Sequence, residues 1–320
     1  MLWRRTITLL IALALATEVL AQGFPSRPIL IIVPYAAGGA PDLVARIIAE
    51  KLTASLGQSV RVENRPGASG NIGTASLAQS AADGHTLLLG DNALLTISPF
   101  IYRHESFNAI RDLTPVAALV ESNVLLLVSA DLPATTLDEF VDYARGAHPS
   151  LAYATVGFGS GFHLTFEQFK RQAGIELLHV PYKSLSQAAV AAVNGEVAVL
   201  LAGASAVPFL QSGKLRALAT AAPVRSPAHP DLPTLNEHYP GVQLSVWQAL
   251  FAPVGTPVAV LERLEAEVDR ILDMPDVRQR LAKANDLRPL AITRVQLADR
   301  IRVEGERNSA MVKQLGLSVE

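Results

Sequence analysis

The feature that most constrains the fold is a repeated alternation of short apolar runs with longer amphipathic segments. Residues 29–35 form a continuous apolar run rich in β-branched side chains, which is typical of a buried parallel strand. Residues 41–56 follow with apolar side chains at helical spacing and a proline in the first turn, which predicts an α-helix. Strands that alternate with helices of this length indicate βαβ units, so the sequence predicts an α/β fold with parallel-rich sheets.

The same alternation continues through most of the chain. Further strands are predicted at residues 60–63, 86–89, 124–128, 151–155, 177–180, 197–201 and 215–220, and a glycine-rich loop at residues 64–73. Helices are predicted at residues 137–145, 163–172, 187–193, 206–211, 258–272 and 296–315. Residues 225–241 are interpreted as a long connection, and residues 242–251 as a strand that passes between two units.

The length of the chain predicts two domains and a cleft between them. Its 320 residues exceed the usual size of one hydrophobic core. Ligands of open α/β sheets bind beyond the carboxyl ends of the strands, and domain interfaces are a common place for pockets. We therefore expect a ligand to bind where the strand ends of the two domains meet.

Composition and charge exclude several classes of protein. Half of the residues are hydrophobic and 18% are charged, which excludes a disordered chain. The formal charge is −2, and a near-neutral protein is not expected to bind nucleic acid, because phosphates attract clustered Lys and Arg. The sequence contains no cysteine, which excludes thiol chemistry, and its seven histidines lack the spacing of a zinc site. No metal or other cofactor is expected.

The N-terminus has the pattern of a secretory signal peptide. Arg4 and Arg5 precede the uncharged, mostly apolar residues 6–17, and Val19 and Ala21 occupy the positions that a signal peptidase inspects. The alternative is a membrane anchor, but the apolar run is shorter than the ~20 residues that span a bilayer. We expect cleavage after Ala21 and export to the bacterial periplasm. A lipid anchor is excluded because no cysteine follows.

Five loops that follow predicted strands carry glycine and polar residues suited to a small ligand. The first loop, residues 34–42, combines Gly38 and Gly39 with a helix N-terminus, an arrangement that suits a carboxylate or phosphate. A tight turn that needs glycine for its backbone angles is an equally good interpretation. Asp42 either favours the helix N-terminus electrostatically or holds the loop by accepting backbone hydrogen bonds.

The second loop, residues 157–163, offers backbone donors from three glycines and the hydroxyl of Ser160. Phe158 stands where a nucleophile elbow requires its first glycine, so Ser160 does not match that motif. His163 is interpreted as a residue that caps the helix or holds the loop in preference to a catalytic base. The remaining loops contain residues 90–92, 180–184 and 203–205, and no acid–base pair accompanies the set.

Motifs spread along the chain resemble the Bug family of periplasmic solute-binding proteins, which are receptors of the tripartite tricarboxylate transporter type. The motifs are residues 25–46 (PSRPILIIVPYAAGGAPDLVAR), 62–73 (VENRPGASGNIG), 83–90 (DGHTLLLG), 179–183 (HVPYK), 213–219 (GKLRALA) and 250–257 (LFAPVGTP). The resemblance implies a type II periplasmic-binding-protein fold, with two βαβ domains joined by two crossover strands around a cleft. Domain I is then expected at residues 22–122 plus 246–320, and domain II at residues 123–245.

The resemblance also implies a set of ligand-binding residues. The family's first ligand loop falls on Tyr35, Ala36, Ala37, Gly38 and Gly39, with Asp42 at its acidic position. The clamp of the second domain falls on Phe158, Gly159, Ser160, Gly161 and His163. Further cleft residues are expected at Asp91, Asn92, Tyr182, Lys183, Ser184 and Ser205.

Some of these positions depart from the family's pattern. Ser184 replaces a common glycine, Ala198 replaces a common acidic residue, and residues 202–206 are less polar than usual. Asp91 is expected to disfavour a second ligand carboxylate by repulsion, unless Lys183 or a cation offsets its charge.

The predicted function is that of a periplasmic receptor without enzymatic activity. The receptor captures a small organic acid or its amide by hinge closure and delivers it to membrane permease subunits, and it is expected to act as a monomer. One alternative is a ligand sensor of the same fold that docks to a signalling partner. Another is a secreted hydrolase that uses Ser160 and His163.

Overall fold

The computed structural model describes residues 23–101, 108–226, 229–285 and 287–316, and within these ranges the chain forms two mixed β-sheets flanked by helices. The α/β prediction is therefore confirmed. Residues 1–22, on which the signal-peptide prediction falls, lie outside the described ranges. None of the described helices is long and apolar enough to cross a membrane.

The described strands follow the chain in the order β1 (Ile29–Val33), β2 (Val60–Asn64), β3 (Thr86–Asp91), β4 (Leu113–Ser122), β5 (Leu125–Ser129), β6 (Leu151–Thr155), β7 (Leu177–Pro181), β8 (Val199–Ala202), β9 (Leu215–Thr220), β10 (Val246–Pro253) and β11 (Leu287–Pro289). The longer helices are α1 (Ala40–Leu56), α2 (Asn71–Ala78), α6 (Leu137–Gly146), α7 (Gly161–Ala173), α8 (Leu185–Val193), α11 (Val258–Leu272), α12 (Pro275–Asn285) and α13 (Arg294–Gln314). The shorter helices are α3 (Asn92–Thr96), α4 (Ser98–Ile101), α5 (Ala109–Asp112), α9 (Val207–Gln211) and α10 (Leu235–His238).

The first sheet has the strand order β11-β4-β10-β3-β1-β2. Strand β1 runs parallel to β2 and β3, whereas β10 pairs antiparallel with β3 and β4. Ile31 and Val33 are fully buried in β1, and Ile48 and Leu52 of α1 pack into the same core. The continuous apolar run of β1 thus reflects a strand covered on both faces.

The second sheet has the strand order β7-β6-β8-β5-β9. Strand β6 runs parallel to β7 and β8, and β5 is antiparallel to β8 and β9. Its core is aromatic, since Tyr153, Phe140, Phe166 and Phe169 are fully buried and the rings of Tyr153 and Phe166 lie 4.4 Å apart. Each such side chain contributes about 1.5–3 kcal/mol by burial.

Two neighbouring segments carry the chain from one sheet to the other. The first joins β4 to β5, and the second enters β10 through Leu244 and Ser245. Val246 pairs with Ser122 on the side of the first sheet. On the side of the second sheet, Ala221 accepts a hydrogen bond from the Leu244 amide (2.7 Å) and donates one to Val124 (2.8 Å). These two connections link the two sheets and lie beside each other.

The prediction of a loop over residues 64–73 is wrong at its end, because helix α2 begins at Asn71. Gly73 lies inside this helix, where a β-carbon would sit 2.9 Å from the Pro34 side chain and 3.1 Å from the Arg65 carbonyl oxygen. The glycine therefore permits a helix to approach the loop after β1 closely. Its presence marks tight packing instead of a turn.

Candidate functional site

A cavity of about 340 Å³ lies between the ends of strands from both sheets. The first sheet contributes Tyr35, Asp91 and Asn92, and the second contributes Phe158, Gly159, Ser160 and Gly161. The structure thus brings together seven residues that the sequence places in separate loops. The volume falls at the lower end of the range of about 300–1,000 Å³ that is usual for small-molecule pockets.

Tyr35 and Asp91 form a hydrogen-bonded pair on the wall of the first sheet. The Tyr35 hydroxyl donates to Asp91 Oδ2 at 2.6 Å, and Asp91 Oδ1 accepts from the Leu94 amide at 2.9 Å, which caps helix α3. Burial raises the pKa of the Asp91 carboxyl, although these hydrogen bonds oppose the shift. Burial and the neighbouring Asp91 also raise the pKa of Tyr35 well above its ordinary value. Each oxygen of the Asp91 carboxyl group therefore accepts a hydrogen bond from within the protein, which fixes its orientation.

The opposite wall is a glycine-rich turn that leads from β6 into α7. Gly157 and Gly159 have φ angles of +118° and +74°, which the β-carbon of other residues disfavours. Ser160 caps α7, because its Oγ accepts a hydrogen bond from the His163 amide at 3.2 Å. The Ser160 hydroxyl in turn donates to the Gly157 carbonyl at 2.8 Å. These hydrogen bonds within the turn hold it in shape.

His163 supports this turn from beneath and does not line the cavity. Its Nδ1 accepts a hydrogen bond from the Gly159 amide at 3.2 Å, which requires that this nitrogen carry no proton. The ring is buried and lies 4.4 Å from the ring of His179, whose Nε2 is 2.6 Å from Thr155 Oγ1. Burial, helped by the nearby His179, lowers the pKa of His163 to about 4.

The same hydrogen bonds do not form the serine–histidine pair that the hydrolase alternative requires. A serine nucleophile must donate its proton to the imidazole of its base. Here the Ser160 hydroxyl donates to Gly157 and the imidazole Nδ1 of His163 accepts from Gly159. Both groups hold the loop in shape, so the prediction that His163 holds the loop agrees with the geometry.

The lining of the cavity is largely apolar, and Asp91 is the one ionisable carboxyl group among the described residues that form it. Ile97, Ile101, Leu244 and Val246 form much of its lining, and no Lys or Arg is among the described residues that line it. The first N–H groups of a helix lack acceptors within the helix. Ser160 accepts from His163 and Leu164, so the amides of Gly161 and Phe162 remain as donors at the edge of the cavity.

The rest of the first loop lies outside the cavity. Ala36, Ala37, Gly38 and Gly39 are exposed, and only Tyr35 reaches the lining. The carboxylate of Asp42 is buried and accepts a hydrogen bond from the Gly38 amide at 2.9 Å. It also accepts from Arg46 Nε at 3.0 Å, and this interaction is the main reason why the pKa of Asp42 is lowered. Asp42 therefore holds the loop in shape.

Four other predicted site residues also lie outside the cavity lining. Lys183 is exposed, Tyr182 packs against a core cluster of the second sheet, and Ser184 caps α8 by accepting from the Gln187 amide. Ser205 lies in a 3₁₀ turn after β8. They follow β7 and β8, whereas the loop that reaches the cavity follows β6.

Sequence reasoning missed several lining residues. Ile97, Ser98 and Ile101 come from the short helices after β3, and Leu244 and Val246 come from the second crossing. Ser98 is a buried polar residue with a hydroxyl that can donate to a ligand. Leu244 could have been found from the sequence, because it lies in the predicted strand of residues 242–251 that passes between the two units. Ile97, Ser98 and Ile101 belong to no sequence motif that would have identified them as lining residues.

Two mixed α/β sheets, two neighbouring crossings and a cavity between opposed strand ends define a two-domain solute-binding receptor. Comparison with known proteins identifies the family. The model for the "Tripartite tricarboxylate transporter family receptor" (TctC) matches residues 44–317, and the chain belongs to this family.

The chain resembles individual members of the family over nearly its whole length. It is 34% identical to protein BugT of Bordetella pertussis, over 96% of this chain and 94% of BugT. It is similar to the structure of Rpa4515 from R. palustris with adipate, with 30% identity, a TM-score of 0.78 and coverage of 92% and 99% of the two chains. MatC from Rhodopseudomonas palustris with bound malate gives 35% identity, a TM-score of 0.74 and coverage of 90% and 100%.

These comparisons confirm the family resemblance and the two-domain periplasmic-binding-protein fold. The protein is a periplasmic solute-binding receptor and not an enzyme. Within the described ranges, no three His, Asp or Glu side chains come together in an arrangement that could hold a metal ion.

Proposed function

We propose that this receptor captures a small carboxylate-bearing ligand in the cavity between its two domains and delivers it to a membrane transporter. The observation that supports this proposal is that one cavity is lined by strand-end loops of both sheets. A ligand that contacts both walls stabilises the closed arrangement of the domains. A transporter can then recognise the closed receptor.

The domains of this proposal are residues 22–122 plus 246–320 and residues 123–245. The hinge lies at the two crossings, beside the Val246–Ser122 pair and the hydrogen bonds of Ala221. The mature chain begins at Gln22, after cleavage following Ala21. Mass spectrometry of the protein recovered from the periplasm tests this start, and a mass that retains residues 1–21 contradicts it.

The lining determines how a carboxylate is held. Because no cation lines the described cavity, the carboxylate must accept hydrogen bonds from neutral donors, which include the amides of Gly161 and Phe162 and the side chain of Asn92. Hydrogen bonds to a charged group contribute about 1.5–3 kcal/mol each, so three or four can give the roughly −8 kcal/mol of micromolar binding after ordering costs. The apolar lining accommodates the carbon chain of the ligand.

Calorimetric titration of the mature protein tests this proposal. The ligands are adipate and malate, which the relatives' structures contain, together with hexanoate and adipate monoamide. Adipate monoamide keeps a polar end of similar size but lacks the charge of the second carboxylate, so its comparison with adipate measures the effect of a second charge near Asp91, and hexanoate measures the effect of removing the polar end. If none of these compounds binds, and a wider set of carboxylates also fails, the proposed ligand class is wrong.

A pair of glycine variants tests whether the ligand occupies this cavity. A β-carbon on Gly161 would lie 3.1 Å from Leu244 Cδ1 and 3.3 Å from Ile97 Cδ1, so Gly161→Val narrows the cavity. Gly146, at the end of α6, has nothing within 4 Å of its β-carbon position, and Gly146→Val is the control. We expect about a tenfold or greater loss of affinity in the first variant, the equivalent of ~1.4 kcal/mol, and wild-type affinity in the second. Equal affinity in both variants would place the ligand elsewhere.

Delivery is tested in cells that lack this protein. Uptake of the labelled ligand is expected to return with the wild-type receptor and with the Gly146 variant, but not with the Gly161 variant. Uptake that is independent of the receptor contradicts the transport role and leaves the binding result intact.

A further inference from the structure

A second cavity, of about 610 Å³, lies at the hinge between the two sheets. Its lining includes both crossings, at Glu121–Asn123 and Gln243–Ser245, and residues 222–226 after β9. One face of α13 closes it. Of the residues that line it, only Leu244 also lines the cavity described above. We call this second space the hinge cavity.

Two of the four arginines that line the hinge cavity are paired with carboxylates. Arg300 Nε donates to Glu304 Oε1 at 2.9 Å, and its guanidinium also lies 3.7 Å from Glu121. Glu304 is buried and accepts a further hydrogen bond from Trp247 Nε1 at 3.0 Å. Arg225 is bound to Glu237, at the outer edge of the cavity.

The other two arginines, Arg288 and Arg307, form no salt bridge with any described residue. Arg288 donates to Asn123 Oδ1 at 2.7 Å, and Asn123 donates to Ser226 at 3.0 Å, which links it to the second sheet. The Nε atoms of Arg288 and Arg307 are buried and have no hydrogen-bond partner among the described groups. Burial, together with the charge of Arg300, lowers the pKa of Arg307, whereas Glu304 opposes this shift.

The remaining acid on the lining does not neutralise these arginines. Asp299 accepts from Arg302 at 2.8 Å and is largely exposed. The lining thus carries four arginines against three carboxylates, and Arg288 and Arg307 are the two that form no salt bridge with a described residue. Leaving the buried Nε donors of these partly buried cations without an acceptor is costly, and guanidinium groups bind carboxylate and phosphate oxygens through paired N–H donors.

We propose that Arg288 and Arg307 form a second binding site, for the oxyanion group of a small anion such as phosphate or a carboxylate. The anion neutralises the charge excess in the hinge cavity. Because the lining belongs to both sheets and both crossings, the bound anion contacts the part of the chain that bends during closure. Its affinity is then coupled to the affinity of the first cavity for its own ligand.

Titration with inorganic phosphate tests the site. The affinity is measured by calorimetry and by the rise in melting temperature, with sodium chloride replaced to keep the ionic strength constant. Acetate replaces phosphate in a second series, which distinguishes a phosphate from a carboxylate preference. We expect saturable binding in at least one series and about a tenfold or greater loss in Arg307→Gln and in Arg288→Gln, as for the removal of one charge-assisted hydrogen bond.

Two controls make the result decisive. Arg270→Gln removes the same charge from an exposed arginine that pairs with Glu267 on α11, and it should retain wild-type anion binding. Gly146→Val changes a glycine with nothing within 4 Å of its β-carbon position, and it should also retain anion binding. Loss of anion binding in either control, unchanged binding in Arg307→Gln, or no saturable binding of either anion would overturn the proposal. If Arg288→Gln does not fold because the hydrogen bond to Asn123 is lost, Arg307→Gln decides, since that substitution leaves this bond in place.

Discussion

The buried imidazole beneath the glycine-rich turn makes a quantitative prediction about stability and pH. The pKa of His163 falls from 6.5 to about 4 in the folded protein. Below pH 6.5 the unfolded chain binds a proton that the folded protein does not bind. Stability therefore decreases as the pH falls from about 6.5 to 4, and the contribution of this histidine becomes constant below that range.

The size of the effect follows from the pKa difference. One pKa unit corresponds to ~1.4 kcal/mol, so the shift of His163 is worth up to about 3 kcal/mol at pH 4 and close to nothing at pH 7.5. Burial also lowers the pKa of the adjacent His179, which acts in the same direction. Protonation of His163 Nδ1 in the folded protein additionally removes the acceptor for the Gly159 amide, so ligand affinity should fall only as the pH approaches about 4.

The perturbation is His163→Asn, because the asparagine Oδ1 can accept the Gly159 hydrogen bond without titrating. Urea unfolding is followed by circular dichroism at pH 7.5, 5.5 and 4. We expect the wild type to lose up to about 3 kcal/mol more than the variant between the highest and the lowest pH. His148→Asn, at an exposed position, should behave as the wild type does. If His163→Asn loses as much stability as the wild type, the buried imidazole is not the cause.

Two further predictions concern the first loop. Gly38 has a φ of +85° and Gly39 does not have a positive φ, while a β-carbon meets no close neighbour at either position. We expect Gly38→Ala to lower the free energy of unfolding by about 1 kcal/mol and Gly39→Ala to leave it unchanged, and equal urea midpoints would contradict this reasoning. Asp42→Asn weakens the bonds to Gly38 and Arg46 and should cost about 1 kcal/mol at pH 7. The pKa of Asp42 is lowered from 3.8, so this difference should shrink as the pH falls below that value, and a pH-independent difference would argue against the charge.

The regular elements of this fold are largely encoded in local sequence patterns. Strands β6 and β9 and helix α11 agree residue for residue with the prediction, because their periodicity is uninterrupted and bounded by turn residues. Strand β4 was missed. It contains Pro115, which cannot donate to a sheet, and the register with β10 shifts between Leu250 and Phe251, where Phe251 pairs with Pro115. The irregularity that accommodates the proline depends on the partner strand.

The site was predictable only where one loop defines its own geometry. The turn at residues 157–161 and the cap at Asp91 belong to local motifs, and both reach the cavity. Whether a strand-end loop reaches the cavity also depends on the order of strands in the sheet. Strand β7 lies at the edge of its sheet, and Lys183 beyond it lies outside the lining. Strand order arises from tertiary pairing, which the periodicity of a single sequence does not contain.

The paired crossings determine how this molecule can deform. The two chain segments lie side by side, and they are linked by the Val246–Ser122 pair at one end and through Ala221 at the other. If the domains close as proposed, we expect bending across the two segments to preserve these hydrogen bonds and twisting of one segment against the other to break them. Ligands that bridge the two walls are then expected to produce the same rotation of the domains.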